Sequence, residues 1–509
     1  MSAFPGGVMH TCRCRLHSRC VFLALLAAAA PAGAATIRVP ADAPTIQAGI
    51  DLALPGDEVL VAPGVYAGAG NMNLDLHGKI IAVRGEGGAG GTIIDCGQAG
   101  RGFVLIGLFS SEAVVDGFTI QNGDYRGAEG GGGMFIAGGS PTVRNCVFAR
   151  NRATGEVYSG GGGGLVAYNA TSLIVGCTFT ENTVTGNVGA LGGGLAAHVS
   201  ALVIRDCLFE RNSAVGPSSN GGGLGNSPYS ADRAPAAGAP RMTIEDSRFI
   251  ANKAFQFGGA VPIYADITRS EFRDNWAEHS GGALGTLGTV LTDCRITHNQ
   301  AEVLGGGGNI VDTFFSRCLI AENAAPIGGG VWIGYGTEAT RLADCVIASN
   351  VATEGGGGAH CLEEAVFERC TFVGNMAPQG SAIQVQRNLP AETRVENSIL
   401  ALGSGGAAVA CIGQHTVRIA CSDVFGNAGG DWVGCIASQY GVNGNIALDP
   451  FFCDPAAGDW QLCAESPCAP GAGDCGLIGA LPVGCTCSTA AEPATWGRIK
   501  ALGRETEDR

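Results

Sequence analysis

One phrase recurs along this 509-residue chain: Cys or Ser, then Phe or Ile two positions on, then Asn three after that. It reads Cys146-Phe148-Asn151, Cys177-Phe179-Asn182, Cys207-Phe209-Asn212, Ser247-Phe249-Asn252 and Ser270-Phe272-Asn275. It continues as Cys294-Ile296-Asn299, Cys318-Ile320-Asn323, Cys345-Ile347-Asn350 and Cys370-Phe372-Asn375. Most copies are followed by a glycine run and a short apolar segment. A fixed internal period of this kind marks one supersecondary unit stacked many times.

The phrase predicts the shape of that unit. Cys and Phe two apart share one face of a strand. Asn three further on falls where the strand ends. It tolerates left-handed backbone and bonds to neighbouring backbone, which suits a tight corner. Glycines at 161–164, 192–194, 221–223, 258–259, 281–282, 305–308, 328–330 and 355–358 mark a second corner. Apolar pairs such as Leu165-Val166, Leu195-Ala196 and Val331-Trp332 open another strand. Successive Asn lie 23 to 40 residues apart, and the widest interval holds Asn226 to Pro240, a Pro-, Ala- and Ser-rich insertion. Two or three short strands per repeat, stacked in parallel at about 4.8 Å, describe an all-β, right-handed parallel β-helix with ladders of Phe/Ile, Cys/Ser and Asn. The length allows on the order of fifteen rungs, a rod of roughly 70 Å. The Cys/Ser slot asks for a small residue; stacked thiols there are expected to pack unbridged, although adjacent rungs lie within disulfide range.

Composition agrees. Gly is 84 of 509, more than twice the usual share of about 7%. Low charge (15%) beside 46% hydrophobic residues argues against disorder. A formal net charge of −15 makes nucleic acid an unsuitable partner, because phosphate binding needs clustered Lys and Arg. No Asp-rich loop suggests calcium.

Residues 1–34 read as a signal peptide: Arg13, Arg15 and Arg19, then the apolar run Val21 to Ala30, too short to span a bilayer, then Ala32-Gly33-Ala34 as the cleavage site. Export to the cell surface or beyond follows, with no transmembrane span. Residues 35–100 read as an N-terminal cap and first rungs. Thr45 to Ala53 carries helical apolar spacing that could lie over the open end, and Val59-Leu60-Val61 is a strand. The β-helix repeats occupy 101–442. Residues 443–487 form a Cys-rich closure, and an oxidising compartment makes disulfides plausible in the cysteine group that runs from the last repeats into it: Cys411, Cys421, Cys435, Cys453, Cys463, Cys468, Cys475, Cys485 and Cys487. Cys96 and Cys361 stand outside both cysteine groups. Residues 488–509 are a charged tail.

At these residues the chain resembles the right-handed parallel β-helix superfamily of secreted bacterial proteins. Gly281-Gly282-Ala283-Leu284 with Phe272-Arg273-Asp274-Asn275 is similar to the paired GG-apolar and F-x-x-N repeats of polymorphic outer membrane proteins. The opening from Pro44 to Tyr66 and the run Asp449-Pro450-Phe451-Phe452 look like the ends of such proteins. The resemblance spans about residues 36–480 and implies the fold. It implies no single activity, because the superfamily includes pectate lyases, polygalacturonases, epimerases and adhesins. The translocating β-barrel that ends polymorphic membrane proteins has no counterpart here.

A polysaccharide-cleaving site needs paired carboxylates, or a base with a charge-neutralising cation. Asp206, Asp246, Asp293 and Asp344 precede the Cys/Ser slot at a fixed rung position, shared by Asn145. That recurrence points to a solvated or turn-stabilising role. His198, His279, His298, His360 and His415 are scattered. His360-Cys361 offers two metal ligands where a site needs more, and Cys485-Thr486-Cys487 is too closely spaced for a zinc knuckle. Arg498-Ile499-Lys500 matches a short hydrolase motif by chance. The sequence therefore assigns no catalytic, cofactor or metal residue. It favours a non-catalytic binding or adhesion scaffold with carbohydrate or cell-surface ligands. A lyase or hydrolase with its site beside loops 121–130 and 226–240, and a structural envelope component, are the alternatives.

Overall fold

The polypeptide after Gly164 traces one complete rung. Leu165–Ala170 forms a first strand, Leu173–Val175 a second, Thr178–Thr180 a third carrying Phe179, and Thr183–Gly186 a fourth beyond Asn182. The glycine corner Gly192–Gly194 then feeds Leu195–His198 on the next rung. Repetition of this path builds a right-handed parallel β-solenoid. This is a computed structural model describing residues 34–155, 160–187, 189–227, 241–262 and 264–486. The expected leader up to residue 33, the insertion beyond Ser227, Cys487 and the charged tail with Arg498-Ile499-Lys500 lie outside the described residues.

The phrase strands form a 14-stranded parallel sheet. Phe148, Phe179, Phe209, Phe249 and Phe272 are in register, followed by Ile296, Ile320, Ile347 and Phe372, all pointing into one buried core. The five successive rings stack nearly parallel, with centroids 4.8, 4.7, 4.6 and 5.0 Å apart. The rung spacing imposes that distance.

The Asn positions form a continuous amide ladder. Asn182 Nδ2 donates to Phe148 O of the preceding rung (2.8 Å) and to Asn212 Oδ1 of the next (3.0 Å). Its own Oδ1 accepts from the backbone N–H and Nδ2 of Asn151, both at 3.0 Å. The same pattern runs to Asn375, and Gly123 and Gly403 hold the corresponding positions in flanking rungs. One expectation is corrected here: the left-handed residue at this corner is not the Asn but its predecessor. Arg150, Glu181, Arg211, Ala251, Asp274, His298, Glu322 and Ser349 have φ between 52° and 58°. For such side chains this conformation costs about 1–2 kcal/mol each. It persists because the amide ladder overdetermines the corner.

At the second corner the glycines are sterically obligatory. A Cβ on Gly192 would sit 1.8 Å from Leu195 O with φ at +66°, and one on Gly193 would sit 2.5 Å from Gly222 O. The Cys/Ser slot is filled as expected. Cys146, Cys177, Cys207, Cys294, Cys318, Cys345 and Cys370 are buried and unbridged. Cys318 Sγ reaches Ser316 O at 3.4 Å, and Ser270 Oγ donates to Thr268 O at 2.9 Å. Either atom satisfies the same carbonyl two residues back. Burial pushes the Cys370 and Cys361 thiols up to about 12.

The N-terminal cap is the helix Ile46–Leu52, capped by the Thr45 hydroxyl, which accepts from Ala48 N–H at 3.2 Å. Its buried Ile46, Gly49 and Ile50 cover strands Thr36–Val39 and Glu58–Val61. At the other end Ile436 joins the core from the short helix Gly434–Gln439, which the Cys411–Cys435 disulfide fastens. The chain then turns back along the side of the rod. Strands Phe452–Asp454, Asp459–Cys463 and Val483–Cys485 form a small sheet held by Cys421–Cys475 and Cys453–Cys485. Phe452, Leu462, Cys468 and Ile478 cover the outward residues Val346, Ala348, Val373, Ile399 and Ala401 of the phrase sheet. Asn397 Nδ2 donates to Cys475 O (2.8 Å), and Ala480 N–H donates to Thr371 Oγ1 (2.9 Å). Under this flap lies Asp423, fully buried, accepting from Leu448 N–H at 3.0 Å with Cys468 Sγ at 3.4 Å. Burial pushes its carboxyl up to about 7, the Leu448 and Cys468 bonds oppose the shift, and the charges of Asp431 and Asp449 add to it.

Two predictions follow from these contacts. Asn275→Ala removes the partner of Phe249 O and of both Asn252 donors. At about 1–3 kcal/mol per buried unsatisfied group it destabilises the rod by roughly 3 kcal/mol or more, whereas Cys318→Ser changes stability by less than about 1 kcal/mol in urea unfolding. Asp423 has a folded pKa above its unfolded value, so its stabilisation is complete below about pH 4 and is lost as pH rises towards 7. Raising pH from 5 to 8 is expected to weaken its contribution by on the order of 2–3 kcal/mol, and Asp423→Asn abolishes that dependence in thermal melts.

Candidate functional site

The candidate acids occupy the corner before the Cys/Ser slot. Asp206, Asp246, Asp293 and Asp344 all adopt left-handed backbone, with φ of 53°, 49°, 56° and 55°. On the rungs after Asp246, Asp293 and Asp344 this position carries arginine, and these three carboxylates are gripped in forked pairs, whereas Asp206 is followed by Asp246. Arg269 holds Asp246 at 2.7 and 2.7 Å, Arg317 holds Asp293 at 2.7 and 2.8 Å, and Arg369 holds Asp344 at 2.6 and 3.0 Å. Asn145 in the same slot donates to Asp116 Oδ1 at 2.9 Å. The arginine hydrogen bonds hold Asp246 and Asp293 below the usual carboxylate range. A general acid needs the opposite shift. These groups stitch rungs together.

The histidines stand apart from one another. His198 is buried and stacks on Tyr168 with centroids 4.5 Å apart, and burial pushes its pKa down to about 4. His279 Nδ1 lies 2.6 Å from Ser280 Oγ, and His298 is exposed and pairs with Glu322. His360 Nδ1 is 3.1 Å from Gln384 Oε1, while Cys361 registers with the core residues Ile333 and Val385, so the two face opposite sides of their strand. His415 Nε2 is 3.1 Å from Thr393 Oγ1. Among the described residues one trio of close metal-ligating groups occurs, Cys453, Cys463 and Cys485, and the Cys453–Cys485 disulfide occupies two of its sulfurs.

Loop 121–130 is pinned to the flank. Buried Arg101 donates to Gly130 O (2.6 Å) and Gly131 O (3.0 Å), and its guanidinium lies 3.4 Å from the Tyr125 ring centre. Tyr168 adds a bond from its hydroxyl to Glu129 O at 2.9 Å. Beneath it Phe135, Val166 and Ala196 form a small apolar cluster outside the main core.

The flank departs from its own rule one rung further on. Leu105, Ile136, Ala167 and Ala197 register as an inward apolar row of the five-stranded sheet, and the next member is Asn226. Asn226 therefore belongs to the strand Leu224–Ser227 and not to the loop expected from residue 226 onward. It is 6% exposed, and its Oδ1 has no hydrogen-bond partner; Asn220 Oδ1 is likewise buried and unpartnered. Among the described residues both side chains line a half-open cleft of about 160 Å³ together with Phe257, Gly285, Thr286, Leu287 and Asn309. Thr286, on the strand Leu284–Leu287 of the large sheet, is a buried polar residue in register with the core residue Ile310, and its hydroxyl lies 3.2 Å from that of Thr313. Gly285 keeps the cleft open, because a Cβ there would lie 3.0 Å from Phe257 Cβ. Each unpaired buried carbonyl costs about 1–3 kcal/mol. Both carbonyl oxygens are closed off from solvent beside the cleft, and its described lining residues are uncharged. The sequence carried a signal: Leu224-Gly225-Asn226 stands where other rungs read Leu165-Val166-Ala167 and Leu195-Ala196-Ala197.

Residues 83–254 match a family model described as the right handed beta helix region. No curated protein matches the chain. Among solved structures, the pectate lyase Pel9A is 12% identical over 89% of this chain and 97% of its own, with a TM-score of 0.27. The PL6 family alginate lyase AlyGC is 8% identical over 78% and 77%, with a TM-score of 0.30. A mannuronic acid specific polysaccharide family 6 lyase from human gut microbiota is 12% identical over 66% and 87%, with a TM-score of 0.31. Likeness at this level carries no argument about activity.

Replacing Asp246, Asp293 and Asp344 together with Asn is expected to leave the thermal midpoint nearly unchanged, since Asn145 and Asn397 already serve this corner with φ of 52° and 49°. Loss of ligand binding in that variant would instead place the acids in a site.

Proposed function

We propose that this chain is an exported, non-catalytic β-helix that acts at or beyond the cell surface as a binding or adhesion scaffold, engaging its ligand on the flank of the rod. The observation that carries this reading is the cleft at Asn220 and Asn226, where an otherwise apolar inward row turns polar and leaves two carbonyl oxygens unpaired. The pairing of Asp246, Asp293 and Asp344 with arginines supports it, because those carboxylates have structural partners, and the arginine bonds hold Asp246 and Asp293 below the usual carboxylate range. Three disulfides around the C-terminal flap suit an oxidising compartment, in keeping with the leader read from residues 1–34. Among the described residues no helix is long and apolar enough to cross a membrane.

A glycan array run beside a turnover assay on acidic polysaccharides tests the proposal. Saturable binding without product release is expected. Release of shortened or unsaturated oligosaccharides would replace it with a lyase or hydrolase.

A further inference from the structure

The C-terminal flap closes over the rod with a carboxylic acid buried at the seam. We infer that Asp423 is the latch of a pH-sensitive cover: protonated, it lets flap residues 448–486 close over the phrase sheet, and ionised, it loosens them. The inference is independent of the flank-binding reading. Asp423 lies on the last strand of the phrase sheet, Asp423–Phe425, and is fully buried. Its carboxyl is met by the flap: Leu448 N–H donates to Oδ1 at 3.0 Å, and Cys468 Sγ lies 3.4 Å from Oδ2. Among the described residues no cation pairs with it, and the sequence holds no Lys or Arg between Arg418 and Arg498. The groups that face it are acids and a thiol. Asp431 lies in the turn after its strand, and Asp449 and Cys468 lie in the flap. The adjacent strand Ile399–Ala401 carries no titratable group.

A carboxylate in this seam has one N–H donor and one weak thiol donor in place of water, with two like charges nearby. Ionisation is therefore disfavoured while the flap is closed. Burial pushes the Asp423 carboxyl up to about 7, and Asp431 and Asp449 add to the shift. The Cys468 thiol is itself pushed up by burial and by Asp423, so it stays neutral and supplies no compensating charge. With the flap lifted the carboxyl meets water and returns to its ordinary value of 3.8. The closed form binds the proton more tightly, so support for closure is complete below about pH 4 and is lost as pH rises through 7. Other polar ties across the seam come from Asn397 and Thr371, and the rest of the contact is apolar. The Cys421–Cys475 disulfide, whose Cys421 lies two residues before Asp423, keeps a lifted flap attached. Opening uncovers the outward side chains of Val373, Ile399 and Ala401, while the amide ladder behind them is untouched.

Hydrogen exchange of the full chain at about pH 5 and pH 8, corrected for the intrinsic pH dependence of amide exchange, tests the latch. Three flap amides cross the seam: Leu448 N–H to Asp423 Oδ1, Gly479 N–H to Asn397 O at 2.7 Å, and Ala480 N–H to Thr371 Oγ1 at 2.9 Å. Their protection is expected to fall about 10- to 100-fold between the two pH values, while the ladder amides of Asn275 and Asn299 keep theirs. Asp423→Asn, neutral at every pH, is expected to flatten the response. If that variant does not fold, the carboxyl is read directly in wild-type protein carrying isotope-labelled aspartate. One carboxyl titrating near pH 7 is expected there, and titration of every aspartate below about pH 5 overturns the inference. Seam protection that is flat with pH overturns it, as does a response retained in folded Asp423→Asn, which assigns the titration to another group. Equal loss at Asn275 and Asn299 shows the whole rod weakening and removes the flap as a separate unit. None of these readouts involves a ligand, so failure of the latch leaves the scaffold reading standing.

Discussion

The rod depends on one bond pattern, the side-chain amide of an asparagine shared between rungs. Each interior ladder amide, as at Asn182, uses its full capacity: two donated bonds and two accepted, to backbone and to the neighbouring amides, at about 3 Å. This fixes the axial spacing, which in turn brings the Phe rings within 5.0 Å of one another and lets each Cys or Ser satisfy the carbonyl behind it. It also stabilises a run of non-glycine residues in left-handed conformation, a cost that an isolated turn would avoid by using glycine. Buried polar networks that are completely satisfied rigidify and specify a structure.

An interior this repetitive has nowhere to differentiate except at interruptions. The outward carboxylates Asp246, Asp293 and Asp344, on alternate rungs, are each taken up by the arginine of the next rung. The interruption at Asn226 and Thr286 is different in kind. It places polar groups in the core row and leaves two of their neighbours' and their own acceptors without partners, which is unfavourable for folding alone. Departures from local consistency of this sort are where function is to be sought, and here the departure opens onto a cleft.

The phrase made much of this legible. Spacing two apart placed Cys and Phe in the core, and the glycine runs marked the tight corner. The helix at Thr45 to Ala53 was visible from its apolar period, and its hydroxyl cap forms as the residue types suggest. The identity of the left-handed residue was not legible, because propensity favours Asn there whereas the ladder requires Asn to lie inside and its predecessor to turn. The route of the C-terminal segment was hidden as well. Its trace in the sequence is that strands from Leu319 onward, such as Val346-Ile347-Ala348 and Ile399-Leu400-Ala401, are apolar on both faces, where earlier ones alternate, as in Thr178-Phe179-Thr180. Asn226 escaped notice because the insertion after it drew its strand into the loop; only the register with Ala197 places it in the core row.

Hydrogen exchange followed by mass spectrometry, with site resolution at the ladder, tests the central claim most directly. The backbone N–H groups of Asn182, Asn212, Asn252, Asn275 and Asn299 donate to the amide oxygen of the next rung and, among the described residues, to nothing else. The account predicts that they exchange among the slowest in the molecule, as slowly as the flanking phrase-strand amides. Exchange at the rate of exposed loop amides would contradict it.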